Sequence, residues 1–194
     1  MSREIEFFFD IGSSYSYLAA TQMAGVAQRT GVPVRWRPFL LGAVFKASGN
    51  EMPARLPAKA KWMMADMQLW SAHYGIPLRM PSRFPVVTLR AQRFLAAVER
   101  ADPSKVAPAA LSLFHAYWAE DQDPTSDAVL AAAAAACGVD AVGAIDAQET
   151  KDHLRATTDE AVKRGAFGAP TLYVGDVMFW GNDRLPLLEQ FLAR

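Results

Sequence analysis

Three serines within four residues, Ser13, Ser14 and Ser16, follow a short apolar run, Ile5 to Phe9, and a break at Asp10-Ile11-Gly12. The run has the length and aromatic content of a strand. A helical pattern starts at once and continues through Tyr17, Leu18, Met23, Val26 and Ala27. The serines therefore stand on a strand–turn–helix junction. The first turn of a helix offers backbone N–H groups without partners and the positive end of the dipole. An anion such as a thiolate is stabilised there; on the other reading, Ser13 only caps the helix. Near the far end, Gly165-Ala166-Phe167-Gly168-Ala169-Pro170-Thr171 leads into another short strand. Proline lacks a ladder donor, so it suits a strand start or a bend. A tight X-Pro turn is also where a cis bond is most at home, and it would present the Ala169 N–H and C=O to an extended ligand. An ordinary proline at the start of a strand is the alternative. Asp183, an acid at a helix start, either caps that helix or binds an ammonium group.

The 194 residues are 52% hydrophobic, enough for one substantial core or a domain with an insertion. The formal net charge is zero, with no basic run or basic amphipathic helix, which argues against nucleic acid and membrane-surface partners. The longest apolar segment, Ala128 to Val139, is mostly alanine and too short to span a bilayer. The start, Met-Ser-Arg-Glu, argues against a signal peptide, and a cytoplasmic protein is expected. The lone cysteine, Cys137, excludes an intramolecular disulfide and Cys-x-x-Cys chemistry; among alanines it reads as a small packing residue. His73, His115 and His153 have no metal-ligand spacing, and no metal is expected.

The elements that must position these residues follow from pattern. A helix is predicted from Ser14 to about Thr30, stopping at Gly31, then a strand over 33–38. Strand, helix and strand form a βαβ unit with parallel strands. Leu40 to Asn50 reads as a loop or broken helix. Helices are predicted over 58–74, 86–99, 108–120, 126–137 (N-cap Ser126), 140–148 (N-cap Asp140) and 150–164, with extended loop over 76–85. Trp62 and Trp70 lie eight apart on one helical face and are assigned to the core. Strands over 171–174 and 177–180 flank a Gly175-Asp176 hairpin turn, and a final helix covers 184–192 with Pro186 in its first turn. No convincing strand occurs from 42 to 160. The two ends must meet to complete a sheet, because two strands alone are marginal.

The ordered pieces F-F-F-D-I-G-S-S-Y-S-Y-L-A, F-K-A-S-G-N, L-P-A-K-A-K-W-M-M-A-D-M, Y-G-I-P-L, G-A-F-G-A-P-T and F-W-G-N-D-R-L cover essentially the whole chain. In that order they resemble the 2-hydroxychromene-2-carboxylate isomerases and, more broadly, the kappa class of glutathione transferases within the DsbA clan. The resemblance implies an α/β fold, with a thioredoxin-like domain (1–41 and 161–194) and a large inserted all-helical domain (42–160). Ser13 to Ser16 then stand where thioredoxin-like oxidoreductases keep Cys-x-x-Cys.

The resemblance also implies reduced glutathione as cofactor. Ser13 is the implied catalytic donor to the glutathione sulfur, with Ser14 and Tyr15 beside it. Ala169, before Pro170, is implied to pair with the cysteinyl part. Trp180 and Gly181 lead to Asn182 and Asp183, which hold the γ-glutamyl end. Asn50 is implied to touch glutathione and substrate, and Lys46 the substrate carboxylate. Trp180 and Phe84 shape the aromatic side. From the residues alone, Lys46 is equally a solvated loop lysine, and Asn50 a turn residue after Gly49.

The implied reaction is a glutathione-dependent cis–trans isomerisation of an aromatic 2-oxo acid in aromatic-compound degradation. It interconverts 2-hydroxychromene-2-carboxylate and trans-o-hydroxybenzylidenepyruvate or a close analogue. Kappa-type conjugation of electrophiles and non-catalytic glutathione or peptide binding are the alternatives. A homodimer is also implied. Two departures stand out: Ser14 replaces the proline of the family pattern, and Val87 occupies the neighbourhood where many isomerase-like members carry asparagine.

Overall fold

The structure, a computed structural model, describes residues 4–193. Residues 1–3, on which the argument against a signal peptide partly rests, lie outside the described residues, as does residue 194. Four strands, β1 (Ile5–Phe9), β2 (Val34–Pro38), β3 (Thr171–Val174) and β4 (Val177–Trp180), form one sheet in the order β2-β1-β3-β4. β1 runs parallel to β2, with Ile5 opposite Val34 and Phe9 opposite Pro38, and antiparallel to β3, with Phe7 opposite Leu172. The chain ends thus meet in the sheet as the strand arithmetic requires. Phe7, Phe8 and Phe9 are all fully buried, as expected of a central strand covered on both faces. Phe7 and Phe9 pack edge-on against Trp36 on one face, and Phe8 against Phe39 and Tyr173 on the other.

The predicted first helix is two helices, α1 (Ser14–Ala20) and α2 (Met23–Thr30). The break comes where Gln22 N–H bonds to the carbonyl of Ala19, three residues back, and the Thr21 hydroxyl takes the carbonyl of Leu18. Leu41–Ser48, predicted as loop or broken helix, is a regular helix, α3, ended by Gly49 at φ 70°. Then follow α4 (Pro57–Tyr74), α5 (Leu89–Ala101), α6 (Val106–Trp118), α7 (Asp127–Cys137), α8 (Gln148–Lys163) and α9 (Leu185–Leu192). Ser126 caps α7 as predicted, by accepting the Val129 N–H. Val86 and Val87 are not helical, since the chain turns into α5 only at Thr88, whose side chain is drawn to Asp10. The helix predicted from Asp140 shrinks to a 3-10 turn over Val142–Ala144, with Ala141 and Ile145 turned into the core on either side. No strand occurs between 42 and 160 among the described residues. None of their helices is long and apolar enough to cross a membrane.

The inserted helices grip the sheet through few polar contacts. Gln92, fully buried on α5, donates to the carbonyls of Phe9 (2.9 Å) and Phe39 (2.7 Å) and accepts the Ile11 N–H (3.4 Å). The indole of Trp118, on α6, donates to the Ile11 carbonyl at 2.8 Å. Arg37, buried on β2, is held by Glu6 (2.9 Å) and Glu160 (2.6 Å), tying β1 and α8 to the same edge. Around these contacts one apolar core runs from Phe7 and Phe9 through Phe94 and Phe114 to Cys137, which is buried as a packing residue. Trp62 is a correction: it is 63% exposed, because the inner face of α4 is filled by Met63, Met67, Trp70 and Tyr74.

Replacing Gln92 with leucine keeps the volume but leaves the Phe39 carbonyl and the Ile11 N–H without their partner in the interior, and the Phe9 carbonyl with only the Phe39 N–H. Urea unfolding is expected to show a loss of about 2–4 kcal/mol; wild-type stability would mean that these groups find other partners.

Candidate active site

The turn after β1 is fixed from its own side chain and from the insertion. The Asp10 carboxylate accepts the N–H groups of Gly12 and Leu41, both at 2.9 Å, and the Thr88 hydroxyl. Burial pushes the Asp10 carboxyl above its ordinary range, and the hydrogen bonds from Leu41, Gly12 and Thr88 work against that rise. Gly12 lies so close under Thr88 that a Cβ would sit 3.1 Å from its methyl group.

Ser13, 8% exposed, both caps and reaches outward. Its Oγ accepts the Ser16 N–H at 3.1 Å, and its O–H donates to the Ala169 carbonyl at 3.2 Å, across 156 residues of sequence. Capping and donation are therefore compatible roles of one hydroxyl. Among the described residues no acceptor closes on the N–H groups of Ser14, Tyr15 or Ala169. Because α1 has only seven residues, these local N–H groups rather than a long dipole supply the positive field.

The Ala169-Pro170 bond is cis, as is Phe84-Pro85. Trp180 covers the loop before Ala169: its ring centroid is 4.8 Å from that of Phe167, and a Cβ on Gly168 would fall 2.5 Å from its Nε1. Gly181 follows at φ 106°, donates to the Pro170 carbonyl at 3.1 Å, and leaves room for the Asp183 carboxylate over its own Cα. Asn182 is 2% exposed, and its Nδ2 has no hydrogen-bond partner among the described residues. It faces the Tyr74 hydroxyl at the end of α4, with Asp183 close by. The Tyr15 hydroxyl donates to Asp66 of α4 at 2.8 Å. Burial, then Asp66 and Asp183, hold the Tyr15 phenol above its ordinary range; burial does most of the same for Tyr74. Both phenols stay protonated at neutral pH.

The structure thus gathers Ser13, Ser14, Tyr15, Ala169, Pro170, Trp180, Gly181, Asn182 and Asp183 around the sheet end where α1 starts. Asn50 joins them indirectly, its amide donating to the Phe167 carbonyl at 2.8 Å, so that it braces the Gly-Ala-Phe-Gly loop. Lys46 lies exposed on the last turn of α3, with no ion-pair partner among the described residues. Phe84 is half-buried with its ring centroid 6.0 Å from that of Trp118, packed against the apolar core. The pattern of the chain did not single out Asp10, Asp66, Tyr74, Thr88, Gln92 or Phe167. Of these only Asp10 carried a local sign, at the break after the first strand. No group of three or more His, Cys, Asp or Glu that could hold a metal occurs among the described residues.

A thioredoxin-like sheet with an inserted helical block, and a serine facing a cis-proline loop, define the class. The family model described as "DSBA-like thioredoxin domain" matches residues 4–193. The chain is 33% identical over 197 residues to a 2-hydroxychromene-2-carboxylate isomerase of Sphingobium xenophagum, covering 99% of each chain. It is 32% identical over 209 residues to human glutathione S-transferase kappa 1, covering 100% of this chain and 92% of that one. A solved 2-hydroxychromene-2-carboxylate isomerase superposes with a TM-score of 0.87 at 29% identity, over 98% of this chain and 94% of that chain. The chain belongs to the DsbA-like thioredoxin family and, within it, to the group of enzymes formed by the 2-hydroxychromene-2-carboxylate isomerases and the kappa glutathione transferases.

Two outcomes test this geometry. Gly168→Ala should displace the Trp180 ring, read as a shift in tryptophan emission and a stability loss of about 1–3 kcal/mol from overpacking. Asp10 should leave a pH signature. A carboxyl raised in the folded state binds its proton more tightly there, so its contribution is complete in acid and is lost as pH rises through the folded pKa. The stability of the wild type relative to Asp10→Asn should therefore fall as pH rises above the ordinary carboxylate range; a difference that grows with pH would contradict the direction of the shift.

Proposed function

We propose that this enzyme is a glutathione-dependent isomerase acting on an aromatic 2-oxo acid, of the kind its isomerase relatives are named for. The observation that carries the reading is the meeting of the Ser13 hydroxyl with the Ala169 carbonyl. It sits beside unpartnered N–H groups and a buried, unpartnered amide at Asn182. The donor set suits glutathione: the backbone of Ala169 for its peptide, the Asn182 amide for a carboxylate, and the Asp183 carboxylate for an ammonium group. When bound, glutathione supplies a nucleophilic thiolate that adds to a conjugated double bond and leaves after the bond has rotated.

The chain's own residues do the rest. Ser13 turns its O–H from Ala169 toward the sulfur position and, with the N–H groups of Ser14 and Tyr15, favours the ionised thiol. Tyr15, tied to Asp66, fixes α1 against α4 while keeping its proton. Asn50 holds the Phe167–Ala169 segment at the height of Ser13. Trp180 supplies an aromatic wall. Lys46, without an ion-pair partner among the described residues, takes the substrate carboxylate, and Phe84 adds to the aromatic side. The substrate reading of 2-hydroxychromene-2-carboxylate or a close analogue, and a role in aromatic-compound degradation, rest on the names of the isomerase relatives. A cytoplasmic setting fits a chain whose one cysteine is buried and whose proposed cofactor acts as a reduced thiol.

The comparable identity to a kappa glutathione transferase favours conjugation of electrophiles as the second reading. Assay with a chromene carboxylate and with a chromogenic aryl halide, both with reduced glutathione, separates the two. Ser13→Ala should lower isomerase turnover by about tenfold or more, the effect of one lost anion-stabilising donor. Calorimetric titration should show weaker glutathione binding in Asp183→Ala, by roughly tenfold for a lost charged partner. No binding to the wild type at millimolar glutathione would remove the cofactor, and unchanged turnover in Ser13→Ala would remove that residue from the chemistry.

A further inference from the structure

Four of the five tyrosines give their hydroxyl to an acceptor: Tyr15 to Asp66, Tyr17 to the Pro77 carbonyl and Tyr117 to the Arg83 carbonyl, each at 2.8 Å, and Tyr173 to the Arg164 carbonyl at 3.0 Å. The fifth, Tyr74, is half-buried at the end of α4, and its hydroxyl closes no hydrogen bond among the described residues. It faces the side chain of Asn182, whose Nδ2 is fully covered and equally without a partner. The Asn182 Oδ1 accepts no hydrogen bond among the described residues either, but it is not fully covered. A covered donor left unpaired is destabilising, so its placement beside an unused hydroxyl calls for a reason. The phenol is held in place, its ring centroid 5.2 Å from those of Trp70 and His73. Asp66, Trp70 and Tyr74, four residues apart, share one face of α4, and Tyr15 meets that face through Asp66.

We propose that Tyr74 is the positioning residue of Asn182: it donates to the amide oxygen and so directs the amide N–H groups at the α-carboxylate of the γ-glutamyl group of glutathione. This rests on the glutathione-dependent reading of the site and adds which residue sets the polarity of that subsite. A half-turn of the amide about its Cβ–Cγ bond exchanges Nδ2 with Oδ1, which differ little in size. Oδ1 then meets the Tyr74 hydroxyl, and Nδ2 takes the side that is not fully covered. Both unpaired groups gain a partner by this one rotation when a carboxylate binds. In the opposite orientation the amide turns a carbonyl oxygen to the carboxylate, and two acceptors repel. An amide therefore selects a carboxylate only where something fixes its rotation. The Tyr74 phenol can do so because it keeps its proton: burial raises it most, Asp183 adds to the rise, and Asn182 works against it. Asp183, the next residue, is left to take the α-ammonium group, so the two charges of an amino-acid head are read by neighbouring side chains.

The test is calorimetric titration of the full chain with three thiols. They are glutathione, its analogue without the α-amino group (glutaryl-cysteinylglycine) and its analogue without the α-carboxylate (4-aminobutanoyl-cysteinylglycine). Tyr74→Phe removes only a hydroxyl that has no partner among the described residues, so its thermal midpoint should match that of the wild type. It should weaken binding of glutathione and of the glutaryl analogue by about three- to tenfold, the effect of one hydrogen bond. Binding of the aminobutanoyl analogue should not change. In an Asn182→Ala background the same substitution should have no further effect, because the residue it acts through is gone. Tyr74→Met, which fills the space with an adaptable side chain, gives the same readout should Tyr74→Phe fail to fold. Equal weakening of all three thiols would make Tyr74 a packing residue and overturn the proposal, as would unchanged glutathione binding. Losses that add in the double variant overturn it too, since the phenol would then act independently of Asn182. A wild type that binds none of the three at millimolar concentration would instead remove glutathione from the site, and this proposal with it.

Discussion

One side chain holds the two parts of this protein in register. Gln92, with no exposed surface, gives both of its amide hydrogens to the carbonyls of Phe9, which ends β1, and of Phe39, just past β2, and its oxygen accepts the N–H of Ile11. The C-terminal end of a parallel strand pair is where backbone groups run out of ladder partners, and in the interior they cannot turn to water. An inserted helix that supplies these partners fixes the following turn to the sheet. Trp118 repeats the device one helix further on, at the carbonyl of the same Ile11. The turn that carries Ser13 is therefore positioned by residues from the inserted block, not by its own strand alone.

From that turn the site is assembled by contacts between distant segments. The Ser13 hydroxyl is shared between the Ser16 N–H and the Ala169 carbonyl, so the start of α1 and the cis-proline loop stand at one height. Steric economy on the far side completes the cradle. Glycine at 168 lets the Trp180 indole lie flat on the loop, and glycine at 181 lets Asp183 fold back over it. Around this cradle the ionisable groups are held in one state: Tyr15 and Tyr74 keep their protons, while buried Asp10 has its proton favoured by its surroundings. Asp183 stands beside this cradle with the Arg184 guanidinium 3.6 Å from its carboxylate, and Lys46 lies exposed on α3 without an ion-pair partner among the described residues.

The sequence by itself determined the local events, because their causes are local. β3, β4 and the hairpin between them are found at the residues where two short apolar runs flank Gly175-Asp176. Ser126 caps the helix it precedes, and Gly31, Gly75 and Gly138 end helices in the left-handed conformation that only glycine adopts freely. The missing third strand could be inferred from the marginal stability of two, and the chain ends do meet. The serine cluster, the Gly-Ala-Pro turn and Asn182-Asp183 were legible as chemistry because each sits at the end of an element, where backbone groups and helix charge are open to a ligand.

What only the tertiary structure decided were the outcomes that depend on a distant neighbour. Trp62 and Trp70 share a helical pattern, yet one is exposed and the other half-buried, because periodicity gives the faces of α4 but not which face has a partner. Arg35 and Arg37 alternate alike along β2, but only Arg37 meets Glu6 and Glu160 and is buried. The helix predicted at 140–148 yields to a short turn because Ala141 and Ile145 gain more from the core than a further helical turn would give. Gln92 carries no local signal, since its role lies in two carbonyls and an N–H group many residues away. A pattern in sequence reports what a residue offers, and long-range packing decides which offers are taken.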